Sequence, residues 1–102
     1  MSIDQSSDPS RRQQSRVSLA AEVQLRRAGV HSFQVRVFDL SPTGCKVEFV
    51  ERPIVNEHLW VKLGRLEALG ATVRWVTGMV GGLEFDRAIH AAVFANLLQQ
   101  LE

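Results

Sequence analysis

Apolar and polar positions alternate with a period of two through most of the chain and shift to a period near four at its end. Val17, Leu19, Ala21, Val23 and Leu25 are apolar at every second position, with Ser18, Glu22 and Gln24 between them. Period two marks a strand with one face buried. It predicts a first strand ending at Arg26-Arg27-Ala28-Gly29, where Gly29 can supply a backbone conformation closed to most residues. Phe33, Val35 and Val37 carry a second alternation, with Gln34 and Arg36 facing away and Phe38 breaking the rule. Asp39-Leu40-Ser41-Pro42-Thr43-Gly44 follows as a turn. Cys45, Val47 and Phe49 make a third strand, closed at Arg52-Pro53 because proline cannot join an interior ladder. Leu59, Val61 and Leu63 make a fourth. Ala71, Val73 and Trp75, with Thr72 and Arg74 opposite, make a fifth, and the turn Thr77-Gly78 leads into a sixth from Met79 to Phe85, loosened by Gly81-Gly82. Gly64 to Leu69 reads either as a connection or as the start of a strand. Ile89, Val93, Leu97 and Leu101 then recur every fourth residue beside Ala92, Phe94 and Leu98. That spacing predicts an amphipathic helix over Ala88 to Leu101, with Asp86 as its N-cap.

Six short antiparallel strands before one helix predict a small barrel or strongly curled sheet, since closure removes exposed edges. The length of 102 residues suits a single domain with a modest core. Met1 to Ser10 is polar, carries Asp4 and Asp8, and lacks the apolar core of a signal peptide; it reads as a disordered lead-in. No apolar run nears the ~20 residues that span a bilayer, so membrane insertion is not expected. The single cysteine, Cys45, excludes an internal disulfide and fits a reducing compartment. A soluble cytoplasmic protein is the expectation. The net charge of +1 gives little long-range attraction to polyanions, which argues against a nucleic-acid polymer as partner. Any anion binding must be local.

Catalysis and metal binding find little support. Cys45 stands at an apolar alternating position, as a small buried hydrophobe would. His31, His58 and His90 show no HxH or HxxxH spacing and no paired cysteines, so no metal is expected. There is no GxSxG, GxGxxG or Walker loop. An enzyme is not expected. Two clusters remain. Arg11-Arg12-Gln13-Gln14-Ser15-Arg16 sets three arginines in six residues without an acid. Such a run is either a solvated basic edge or a grip for phosphates and flat rings. Asp39 and Ser41 lie two apart, so on a continuing strand they share a face. There Asp39 could accept a forked pair of N–H donors such as the N1–H and N2–H edge of guanine, and Ser41 adds a rotatable donor and acceptor. The alternative is an Asx-turn closed by Asp39, with Gly44 in the left-handed region.

Together these residues resemble a known family. Arg12 to Arg16 fits RxxxR, and Asp39 to Gly44 fits DxSxxG about a strand pair later. The order and distance of the two look like the PilZ domain. Val73-Arg74-Trp75 followed by Gly82-Leu83-Glu84-Phe85, and the terminal helix, resemble the later part of that family. The resemblance covers nearly the whole chain. After the disordered tail read over residues 1–10, it implies a PilZ domain over 11–102, folded as a six-stranded antiparallel β-barrel of split-barrel type with a C-terminal α-helix. It also implies a non-catalytic receptor for the bacterial second messenger cyclic di-GMP that passes its signal to an unidentified downstream protein. By the resemblance, Arg12 and Arg16 grip phosphates and meet guanine, Asp39 and Ser41 read a guanine edge, and Gly44 allows close approach. An arginine at position 11 goes with an intercalated ligand dimer, so two nucleotides per chain are expected. Trp75 resembles a tryptophan that lies beside guanine; an ordinary core or rim aromatic is its alternative. The other reading of the family is a protein adaptor in pilus, flagellar or motility regulation that binds no nucleotide.

Overall fold

Residues 20–29 and 32–101 are described by the computed structural model of the chain. The expected tail over residues 1–10, the positions Val17 and Leu19 at the head of the first strand, and His31 lie outside them. The strands are β1 (Ala21–Arg27), β2 (Ser32–Ser41), β3 (Gly44–Glu48), β4 (His58–Lys62), β5 (Leu69–Thr77) and β6 (Val80–Phe85), followed by helix α1 (Ala91–Leu101). All pairings are antiparallel. They close a barrel in the order β1-β2-β3-β6-β5-β4, with β1 paired to both β2 and β4. Closure is what short, half-apolar strands achieve when no edge can be left unpaired.

The alternating positions fill the interior. Val23 and Leu25, Val35 and Val37, Leu59 and Val61, and Val73 and Leu83 are all buried in one core cluster. β-Branched side chains suit this surface because their restricted χ1 costs little on a pleated strand. The mouth of the barrel beside the β2–β3 turn is covered by α1, whose Phe94 and Leu97 are buried with Ile89 and Leu63. At the other mouth Phe49 packs where a Cβ on Gly81 would stand.

The connection from β3 to β4 is pinned to the end of β1. Arg27 donates from Nε to Glu57 Oε2 at 2.6 Å and from its terminal nitrogens to Glu57 Oε1 at 2.7 Å and Glu51 O at 3.1 Å. Glu57 Oε1 also accepts the Ile54 N–H at 3.2 Å. Burial pushes the Glu57 carboxyl up, but the bonds from Arg27 and Ile54 and the Arg27 charge outweigh it and leave the group below its ordinary 4.5.

Several boundaries depart from the sequence reading. The helix begins at Ala91, not Ala88, and Asp86 is not its cap. The Asp86 N–H donates to Gly70 O at 2.8 Å and the Ile89 N–H to Pro42 O at 2.7 Å, so residues 86–89 lie along the barrel rim. His90 serves instead, its Nδ1 accepting the Ala92 N–H at 3.2 Å, while Asp86 Oδ2 meets His58 Nε2 at 2.8 Å. β6 begins at Val80, because Thr77 pairs with Val80 across a tight turn of Gly78 and Met79. Within Gly64 to Leu69, a turn comes first and β5 starts at Leu69. Gly29 takes the positive φ expected of it, 72°.

Candidate functional site

Two β-bulges build the site. The β2–β3 register shifts between Val37 and Asp39, and the β5–β6 register shifts between Val73 and Trp75. A bulge adds one residue to one strand and reverses the facing of the residues after it. After Val37 the next buried apolar residue is therefore Leu40, three positions on, and Asp39 faces out. The same device acts at Arg74. Strict alternation would put Trp75 inside with Ala71 and Val73, yet Trp75 is 40% exposed while Val76 packs against the core. The break at Phe38 is the trace of the first bulge in the sequence. The reading of Trp75 as an interior aromatic is corrected by the second.

One outward row results. Asp39 pairs with Lys46, Lys46 with Gly82, and Gly82 with Trp75, across β2, β3, β6 and β5. The next row holds Ser41, Gly44 and Glu84. These residues line a cleft of about 210 Å³. A Cβ on Gly82 would overlap the Trp75 indole, so the ring lies flat over the bare backbone of β6. Lys46 Nζ stands 3.1 Å from Asp39 Oδ2, with the two side chains 38% and 22% exposed. Half-solvated pairs of this kind contribute about 0–1 kcal/mol and are easily opened. At the rim Arg74 Nε donates to Glu84 Oε1 at 2.6 Å.

Ser41 has a local task. Its Oγ accepts the N–H groups of Thr43 and Gly44, each at 3.2 Å, across the turn made by Pro42 and Thr43. The Asx-turn alternative for Asp39 is overturned, since Ser41 closes the turn and the Asp39 carboxylate turns to Lys46. Gly44 is not left-handed either; among the described glycines only Gly29, Gly64 and Gly78 have positive φ. What demands glycine there is the neighbouring strand, because a Cβ would strike the Leu83 carbonyl. Cys45 is buried beneath the cleft, and desolvation pushes its thiol up to about 12, which leaves it protonated and unreactive.

Of the residues expected to form a site, the structure brings Asp39, Ser41, Gly44 and Trp75 together around this one cleft. Arg11, Arg12 and Arg16 lie outside the described residues. Lys46 and Gly82 join the site without having been singled out for it. Lys46 stands two residues after Gly44, hence on the same face, which is the signal that could have found it. Among the described residues no three His, Cys, Asp or Glu side chains converge as a metal site would need, and no helix is long and apolar enough to cross a membrane.

No curated protein matches the chain closely enough to count as a relative. A family model of the PilZ domain matches residues 10–102, and its span takes in both the DxSxxG turn and the closed barrel that carries it. The chain belongs to the PilZ domain family.

Proposed function

We propose that the chain is a non-catalytic receptor for cyclic di-GMP that reports the bound nucleotide to a partner protein. The observation that carries this reading is the shared outward face of Asp39, Lys46, Gly82 and Trp75. The Asp39 carboxylate can accept the N1–H and N2–H of guanine, a forked contact that discriminates against other bases by about 1–3 kcal/mol. Trp75, at the far end of the same row, offers an exposed ring for stacking. Ser41 holds the turn that aims Asp39, and Gly44 keeps that turn against β6. Lys46 masks the carboxylate in the free protein and is released when guanine takes its place, ready to meet a phosphate.

The arginines complete the proposal. β1 runs antiparallel to β2 with Ala21 opposite Val37, so the first residue of β1 stands near the Asp39 end of β2. Five residue steps separate Arg16 from Ala21, a chain length of at most about 18 Å. Arg12 and Arg16 grip phosphates and stack on guanine, and Arg11 supports a second, intercalated nucleotide.

The adaptor reading has an observation of its own: Asp39 is already paired with Lys46, and the Ser41 hydroxyl is used within its own turn. A nuclear magnetic resonance titration separates the two. A cyclic di-GMP receptor shifts the Trp75 indole N–H and the Gly82 and Lys46 amides, with GTP and cyclic di-AMP inert. An adaptor leaves all three unmoved.

A further inference from the structure

A second concave surface lies away from the nucleotide cleft. Leu66 and Leu69 on one side, and Ile89 and Val93 on the other, floor a groove of about 410 Å³. Arg65, on the connection between β4 and β5, and Arg87, on the segment after β6, also line it. Both are exposed, and neither guanidinium forms an ion pair or hydrogen bond among the described residues. Glu67 is the one acid of the lining. The first turn of α1, which opens beside Val93, also holds no acid, so the positive end of its dipole is left uncompensated.

The walls are set in place by backbone bonds. The Arg65 N–H donates to Gln100 Oε1 at 2.8 Å, and Lys62 Nζ to Leu66 O at 2.6 Å, which fixes the first wall against α1. The second wall is bonded to the DxSxxG turn, through the Ile89 N–H to Pro42 O at 2.7 Å and the Phe85 N–H to Thr43 O at 2.8 Å. A preformed groove loses less entropy on binding than one that must order first. Apolar floor and unpaired arginines call for an occupant with apolar side chains flanked by carboxylates, which guanidinium groups bind as forks.

We infer that this groove docks an acidic amphipathic helix of a partner protein. The inference supplies the partner surface for the receptor reading above, and the bonds from Pro42 and Thr43 join it directly to the turn that carries Asp39 and Ser41.

The test uses the full chain without nucleotide and a labelled synthetic helical peptide whose leucine stripe is flanked by glutamates. A peptide with lysines in place of the glutamates, and poly-glutamate, serve as controls. The acidic amphipathic peptide should bind and shift the resonances of Leu66, Leu69 and Val93. Arg65→Glu combined with Arg87→Glu, both at exposed positions, should weaken it by about tenfold or more with the circular dichroism spectrum unchanged. Val93→Glu, which alters the floor alone, should weaken it as well. No binding, equal binding of poly-glutamate, equal affinity of the charge-reversed variant, or shifts confined to another face would each overturn the assignment. So would self-association that the charge reversal abolishes, since the groove would then join two copies of this chain. Failure of the receptor reading looks different: the peptide binds as described while cyclic di-GMP gives no response.

Discussion

At the scale of single residues, Asp39 and Ser41 are neighbours with opposite obligations. Ser41 is buried and accepts the N–H groups of Thr43 and Gly44, so removing its hydroxyl takes that acceptor from the turn. A donor that loses its acceptor costs about 1–3 kcal/mol when buried, and less where water can enter, as at this part-buried turn. Ser41→Ala should therefore destabilise the protein by roughly 1–2 kcal/mol, read as a lower midpoint in urea. Asp39→Ala should leave that midpoint nearly unchanged, because its partner Lys46 is half-solvated. On the proposed reading its effect should fall on nucleotide binding instead. Equal stability losses in the two variants would contradict this division between the residue that holds the turn and the residue that reads the ligand. Gly44 divides in the same way: its place in the motif suggests room for a ligand, while its missing Cβ makes room for Leu83.

At the scale of elements, alternation made the strands legible because each has one dry face. What it could not deliver were the events that depend on a neighbouring strand. Phe38 shows as a break and marks a bulge, but Arg74 shows nothing, since Val73 and Trp75 are both plausible inside. Only the pairing of Trp75 with Gly82 turns the indole outward. The start of α1 was hidden for a similar reason, because Asp86 and Ile89 are bonded to Gly70 and Pro42, both distant in sequence. In the site, Asp39, Ser41 and Gly44 were legible as a local motif, whereas the part played by Lys46 rests on register. The Arg27–Glu57 clamp is another such long-range feature, and it carries a pH dependence. The folded Glu57 carboxyl lies below 4.5, so the unfolded chain takes up its proton first as pH falls. The stabilisation is complete above 4.5 and is lost as pH drops through the folded value. Arg27→Met should destabilise the protein by about 1–3 kcal/mol at neutral pH. Glu57→Gln should flatten the decline in urea midpoint below pH 4.5, and an unchanged slope would show that the clamp does not carry it.

At the scale of the whole molecule, the barrel is a frame that holds two concave surfaces a short bonded path apart. The β2–β3 turn forms part of the cleft around Asp39, and its Pro42 and Thr43 carbonyls anchor the segment that leads into α1. On the proposed reading, a nucleotide that moved this turn would also move a wall of the second groove, which gives a route from ligand to partner. With a net charge of only +1, the proposed binding would depend on the local arrangement of Arg11, Arg12, Arg16 and Asp39 rather than on the field of the whole protein. Calorimetric titration of cyclic di-GMP into the full chain, repeated for Arg12→Ala and Asp39→Ala, tests nucleotide binding directly. A receptor of the proposed kind gives heat in the wild type saturating at two nucleotides per chain, and loses most of that affinity in either variant. No heat in the wild type, or unchanged affinity in both variants, would contradict it.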